Sequence, residues 1–226
     1  MPYISIANNL KRIFIKKLYI VPVLCCLIFS CSVPMPEKTA ITGVWKFKTG
    51  DSAAYAMPGF DDSSWDTIHA GKNFEQQGFE KYDGIAWYRK SIIIPSSFKA
   101  SMNSKYRSLI LLLGKIDDAD QTYLNGQLIG STGDIDKNDE FSYSAERKYV
   151  IPGELISWDK ENIIAVRVRD FVGGGGLCYG PYEIHTTGIS DFVSIKQDVV
   201  SETGVFKKGE QIKLSVKIQN TSKENA

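Results

Sequence analysis

The eight residues Thr122-Tyr123-Leu124-Asn125-Gly126-Gln127-Leu128-Ile129 decide the fold class. Two short runs rich in β-formers flank Asn-Gly, a dipeptide that tolerates the two positive φ angles of a type I′ turn, whose twist matches that of its strands. The same punctuation recurs from Trp45 onward: runs of five to ten residues with β-branched and aromatic enrichment, separated by Gly, Pro, Asn and Asp. Strands are expected at residues 44–48, 85–94, 108–113, 121–124, 127–129, 148–151 and 163–169. No helical stretch exceeds about two turns, and Pro152-Gly153-Glu154-Leu155 reads as a single turn. The pattern predicts an all-β jelly-roll sandwich with Greek-key wiring.

The ends of the chain read differently. Lys11, Arg12, Lys16 and Lys17 precede an apolar run from Leu18 to Phe29 that is too short for the roughly 20 residues of a spanning helix. This is the pattern of an export signal over residues 1–30. Ile28-Phe29-Ser30-Cys31 resembles the lipobox of bacterial lipoproteins, with Cys31 as the lipidated residue; the alternative is a plain secretory signal cleaved near Ser30 or Ser32. The lipoprotein reading implies a membrane anchor in the bacterial envelope, periplasmic or outer-membrane, and a tether at residues 31–40. Once the signal has left, Cys178 stands alone as a small packed thiol and no disulfide framework is possible. Beyond residue 30 the chain carries 23 basic and 26 acidic residues, a balance without the electrostatic footprint of a nucleic-acid binder.

At the other end the composition shifts near Thr186-Thr187-Gly188. Ile212, Leu214, Val216 and Ile218 alternate with Lys213, Ser215, Lys217 and Gln219, the period of a half-buried strand. Residues 189–226 are therefore expected to open a second, immunoglobulin-like β-sandwich, cut short, after a first domain at 41–188.

Several groupings carry possible chemistry. Gly50-Asp51-Ser52 matches the start of a GDS-type esterase, but the partner motif is missing: Tyr182 stands where an Asp is needed ahead of His185, and His69 lies too early. Asp117, Asp118 and Asp120 with Arg89 form the most unusual charge cluster. It reads either as a carbohydrate site, with Trp87 stacking on a sugar face, or as acids that hold Arg89 at a strand end; the second reading is preferred, since inward positions of a sandwich usually serve packing. Asp134, Asp136 and Asn138 place oxygens at alternate positions as a calcium loop does, yet the glycine and the final acid of an EF-hand are absent; a solvated acidic loop is the preferred reading and a looser calcium site the alternative. Gly173 to Gly176 lacks the Lys-Ser/Thr and the helix of a phosphate loop and is expected to be a flexible or tightly turned rim loop. Arg167 and Arg169, alternating with Val166 and Val168, should share an outward face.

Six segments together carry a family resemblance: Phe60-Asp61-Asp62-Ser63-Ser64-Trp65, Tyr82-Asp83-Gly84-Ile85-Ala86-Trp87-Tyr88-Arg89-Lys90, Leu113-Gly114-Lys115-Ile116-Asp117-Asp118-Ala119-Asp120, Tyr123-Leu124-Asn125-Gly126, Arg147-Lys148-Tyr149-Val150-Ile151-Pro152 and Asn162-Ile163-Ile164-Ala165-Val166-Arg167-Val168. Over residues 41–190 the chain resembles the N-terminal, galactose-binding-like jelly-roll domain of glycoside hydrolase family 2, of the β-galactosidase and β-glucuronidase type, and the related domain of sialate O-acetylesterase-like proteins. The resemblance implies a non-catalytic carbohydrate-binding module that acts in glycan binding or breakdown without a cofactor, its partner a carbohydrate or a hydrolase domain. Catalysis in that family belongs to a barrel with two carboxylates, for which the region after Gly188 leaves no room. In the resembling domains the Gly173–Gly176 end faces the rest of the enzyme, which makes Asp170, Tyr179 and Tyr182 candidates for contact with a glycan or a neighbouring domain. The alternatives are the N-terminal piece of a full glycosidase or esterase, and a structural envelope protein that binds another protein.

Overall fold

A computed structural model describes residues 37–102, 108–137, 142–188 and 191, and the strand backbone of 193–200 and 213–220. The segment read as an export signal, Cys31 and Asn138 lie outside the described residues. Twelve strands follow in chain order: β1 (Lys38–Ala40), β2 (Val44–Thr49), β3 (Asp66–His69), β4 (Gly84–Ile93), β5 (Ser108–Asp117), β6 (Ala119–Leu124), β7 (Gln127–Thr132), β8 (Glu146–Pro152), β9 (Glu161–Asp170), β10 (Gly176–Thr186), β11 (Val193–Val200) and β12 (Lys213–Asn220). All seven expected strands are present, and Gly153–Leu155 forms the expected single turn. Asn125 and Gly126 take φ of 49° and 84°, the turn that the Asn-Gly pair demands between β6 and β7.

The strands form a four-stranded sheet in the order β1-β10-β5-β8 and a six-stranded sheet in the order β3-β2-β4-β9-β6-β7, all pairs antiparallel. The hydrophobic core lies between them. Leu109, Leu111, Leu113, Ile151 and Ile184 from the first sheet meet Trp45, Phe47, Tyr88, Ile164, Val166 and Val168 from the second. Among the described residues, β11 and β12 pair with each other in a two-stranded sheet.

Three strands depart from the expected pattern. β1 falls in the segment read as a tether: Lys38, Thr39 and Ala40 pair with His185, Ile184 and Glu183. β3 buries one side chain, Ile68, so no alternation marks it. β10 contains Gly180-Pro181 and changes register on both sides of Tyr179, which gives it the composition of a loop.

The pleat of the six-stranded sheet positions what matters for function. Ala86, Val168 and Asp120 stand in one cross-strand row, and Gly84 and Asp170 in another, on the core side. One residue on, Trp87, Arg167 and Gln121 form a row on the opposite face, and so do Arg89, Ala165 and Tyr123. That outer face is covered by the segment between β2 and β3, whose Tyr55, Phe60 and Trp65 pack on Trp87 and Ala165 as a second, smaller cluster.

Candidate functional site

Asp120 sits fully buried at one end of the main core, between the sheets. Arg147 Nε, from β8 of the facing sheet, donates to Asp120 Oδ1 at 2.9 Å, and the Tyr149 hydroxyl bonds both carboxylate oxygens at 2.9 Å. Thr122 donates to Oδ2 at 2.8 Å. The rest of the Arg147 guanidinium donates to the carbonyls of Ser142, Ala145 and Asp118, each at 2.6 Å. Burial pushes the Asp120 carboxyl up, opposed by Arg147 and by these hydrogen bonds. The result is an ion pair that ties one sheet to the other.

Arg89 takes no part in it. The acids at 117, 118 and 120 were expected to hold this guanidinium, but Arg89 and Asp120 lie on opposite faces of the six-stranded sheet and cannot meet. Arg89 instead bonds Asp62 at 2.7 Å through Nε and reaches the carbonyls of Tyr55, Met57 and Phe60. Its guanidinium also lies 5.7 Å from the Phe60 ring centroid and 5.8 Å from that of Trp65. Sequence reading missed both true partners, Arg147 and Asp62. Trp87 is likewise enclosed: its Nε1 donates to Asp51 at 3.0 Å, and Tyr123 stacks on its ring at 5.7 Å. Asp51 also accepts two bonds from Arg167, which hold its carboxyl below the ordinary range. The Asp51 of the GDS motif is therefore a strut on the outer face. Ser52 caps the turn Ala53–Ala56, while His185 in the other sheet faces Asp191 and Glu183.

A second group of acids gathers where β5 and β9 end and β10 begins. Asp118 accepts the Phe171 amide at 2.9 Å, and Asp117 is half-buried, its carboxyl pushed up to about 7 by burial and then by Asp118 and Asp170. Asp170 is fully buried. Its carboxyl is pushed up to about 7 by burial first and then by Glu75, Asp118 and Asp83. Cys178 is the packed thiol expected, pushed up to about 12 by burial and donating to the Gly176 carbonyl. Tyr182, expected at an exposed rim, is buried in the core and donates to the Leu177 carbonyl at 2.9 Å; β10 turns it inward past the register change. Tyr179, on that bulge, is 69% exposed. Asp134 accepts the Asp136 amide and pairs with Lys137, and among the described residues no three acid, His or Cys side chains converge as metal ligands.

Within the glycine run Gly173 is open, whereas Gly174, Gly175 and Gly176 are packed against their neighbours. A Cβ on Gly174 would stand 2.1 Å from the Asn73 side chain, and one on Gly175 would stand 2.3 Å from the Phe74 ring and 2.7 Å from Asp170 Cβ. Gly175→Ala should therefore lower stability by about 1–3 kcal/mol, as overpacking does, measured as the urea midpoint; an unchanged midpoint would mean that the loop has room to shift.

The family profile described as the second all-beta domain of beta-galactosidase matches residues 49–171. The chain belongs to this family. As a β domain of the glycoside hydrolase family 2 type, it resembles solved structures in fold. The Bacteroides uniformis beta-glucuronidase superposes with a TM-score of 0.59 at 24% identity, covering 83% of this chain and 23% of that enzyme. An uncultured Clostridium beta-glucuronidase gives 0.61 at 14%, covering 84% and 35%. A beta-glucuronidase from glycoside hydrolase family 2 gives 0.56 at 18%, covering 82% and 22%. The chain thus spans about a quarter of the length of the first of these. No curated protein matches it.

Proposed function

We propose that this family 2 β domain is a non-catalytic carbohydrate-binding module of an exported, lipid-anchored envelope protein, serving glycan binding or breakdown. The observation that carries the reading is Tyr179: its ring stands out from a bulge in β10, opposite Lys115 and close along the sheet to half-buried Asp117, whose register partner is Gly176. An exposed ring beside groups that donate and accept hydrogen bonds suits the apolar face and hydroxyls of a sugar. Asp120 and Arg89 are left out of the site, because each is already satisfied within the sandwich. Titration of the chain with plant, host and bacterial glycans, β-glucuronides and β-galactosides included, tests this. Tyr179→Ala should weaken binding about tenfold, ~1.4 kcal/mol, with an unchanged unfolding midpoint. No binding across the panel would sink the sugar-binding claim and leave a protein-binding envelope role.

A second reading is that the module works as the front part of a full glycosidase. It is favoured by the coverage, 83% of this chain against 23% of the Bacteroides uniformis enzyme. An immunoblot of envelope fractions separates the two: a band near 25.2 kDa supports a self-standing module, and one several times larger supports the glycosidase. Palmitate labelling that is lost in Cys31→Ser would support the anchor.

A further inference from the structure

The glycine loop lies against two acids, Asp170 and Glu75. Asp170 closes β9 with its side chain turned into the sandwich end, and neither of its carboxyl oxygens has a hydrogen-bond donor in reach. What it faces is the carboxyl of Glu75, in the turn Phe74–Gln77. Both Glu75 oxygens accept the Gly175 amide, at 3.1 Å each. Gly175 in turn lies against Asp170, so Glu75, the loop and Asp170 form one contact.

A fully buried carboxyl such as Asp170, set beside a second acid, cannot stay ionised without a donor, a cation or a proton of its own. The charged groups around Asp170 are acids, Glu75, Asp118, Asp83 and Asp117, the last with its own carboxyl pushed up to about 7, and the Tyr88 hydroxyl beside Gly176 is neutral. Asp118 is already engaged by the Phe171 amide, and the Cys178 thiol close by is neutral. The Arg147 charge is taken up by Asp120, and the Arg169 guanidinium lies 4.9 Å from the Phe171 ring centroid. What remains to neutralise Asp170 is a proton.

We propose that the Asp170 carboxyl holds a proton and donates it to Glu75, that this contact latches the Gly173–Gly176 loop to the end of the sandwich, and that loss of the proton releases the loop. The released segment would carry Val172, which is 71% exposed, and would lead into the β10 bulge that presents Tyr179. The direction with pH follows from the Asp170 carboxyl, pushed up to about 7 in the folded chain. A folded-state acid raised above its unfolded value of 3.8 stabilises fully below that value, and the contribution is lost as pH rises through about 7.

Hydrogen exchange of the peptide that spans residues 170–177, in the full chain and corrected for intrinsic rates, tests the latch. Between about pH 5.5 and 8, protection there should fall about tenfold, while peptides from β5 and β9 keep theirs. Asp170→Asn and Glu75→Gln should each hold protection at the high level at both pH values, because one amide supplies the missing donor; Glu75→Gln also keeps an acceptor for Gly175 and carries the test if Asp170→Asn does not fold. Protection that is equal at both pH values in the wild type, a fall that persists in the variants, or a fall shared by all peptides would overturn the proposal. Recovery of protection at pH 8 on adding millimolar calcium would overturn it too, since a cation would then fill the place given to the proton.

Discussion

Arg147→Met is expected to destabilise the sandwich by about 3–5 kcal/mol, the cost of removing one partner from a buried ion pair. The substitution leaves Asp120 fully buried with only the hydroxyls of Tyr149 and Thr122, and it strips the donor from the carbonyls of Ser142, Ala145 and Asp118. The penalty belongs to the charge left behind rather than to the pair itself, because a well-packed apolar pair of similar volume is often as stable as a buried ion pair. Arg147→Met combined with Asp120→Leu should therefore recover most of the loss. The variant should also respond to pH: without Arg147, burial is opposed only by the hydroxyl bonds of Thr122 and Tyr149 and raises the Asp120 carboxyl further, so the single variant should regain stability as pH falls and lose it as pH rises. Urea unfolding of the wild type, both single variants and the double variant at two pH values checks all three statements. A double variant no better than Arg147→Met would mean that the bonds to the three carbonyls, and not the charge, hold the sheets together.

That inter-sheet tie shows what the sequence could and could not convey. The β6–β7 hairpin was legible because Asn125-Gly126 states its own turn, and β9 because Val166 and Val168 alternate with Arg167 and Arg169, whose outward face the structure keeps. Both signals are local. The unusual acids at 117, 118 and 120 were visible as well, but their partners were not: Arg147 belongs to a strand of the other sheet, and the register that brings β8 over β6 is written nowhere in either segment. Trp87 and Arg89, two residues apart in β4, share one face of the sheet. Placing Asp120 on the other needed the register of β4 on β9 and of β9 on β6, which only the folded sheet supplies. β10 was hidden for a different reason: Gly180-Pro181 and the bulge at Tyr179 give it the composition of a loop, so Tyr182 read as rim when it is core. The glycine run illustrates the same limit, since four glycines mark flexibility and close packing alike until Phe74, Asn73 and Asp170 are seen against them.

Arg89→Met should be nearly as damaging, by about 2–4 kcal/mol, through the outer face of the sheet rather than the core. The guanidinium is the point at which the segment before β3 is fastened: its donors satisfy Asp62 and the carbonyls of Tyr55, Met57 and Phe60, and its flat faces lie toward Phe60 and Trp65. Without it three carbonyls lose their donor under an aromatic lid, and water must enter the cluster of Tyr55, Phe60, Trp65 and Trp87 to solvate them. Arg89→Lys should recover only part of the loss, because an ammonium can serve the carboxylate but cannot span four acceptors in a plane. Asp62→Asn should cost less, about 1 kcal/mol, since the Asp62 side chain is 28% exposed and water can take its place. The ordering Met, Lys, Asn in urea midpoints, with tryptophan fluorescence from Trp65 and Trp87 shifting to the red in the first, tests the assignment. If Arg89→Lys were as stable as the wild type, the fastening would be the charge on Asp62 alone, and the three carbonyls would find other donors once the fork is gone.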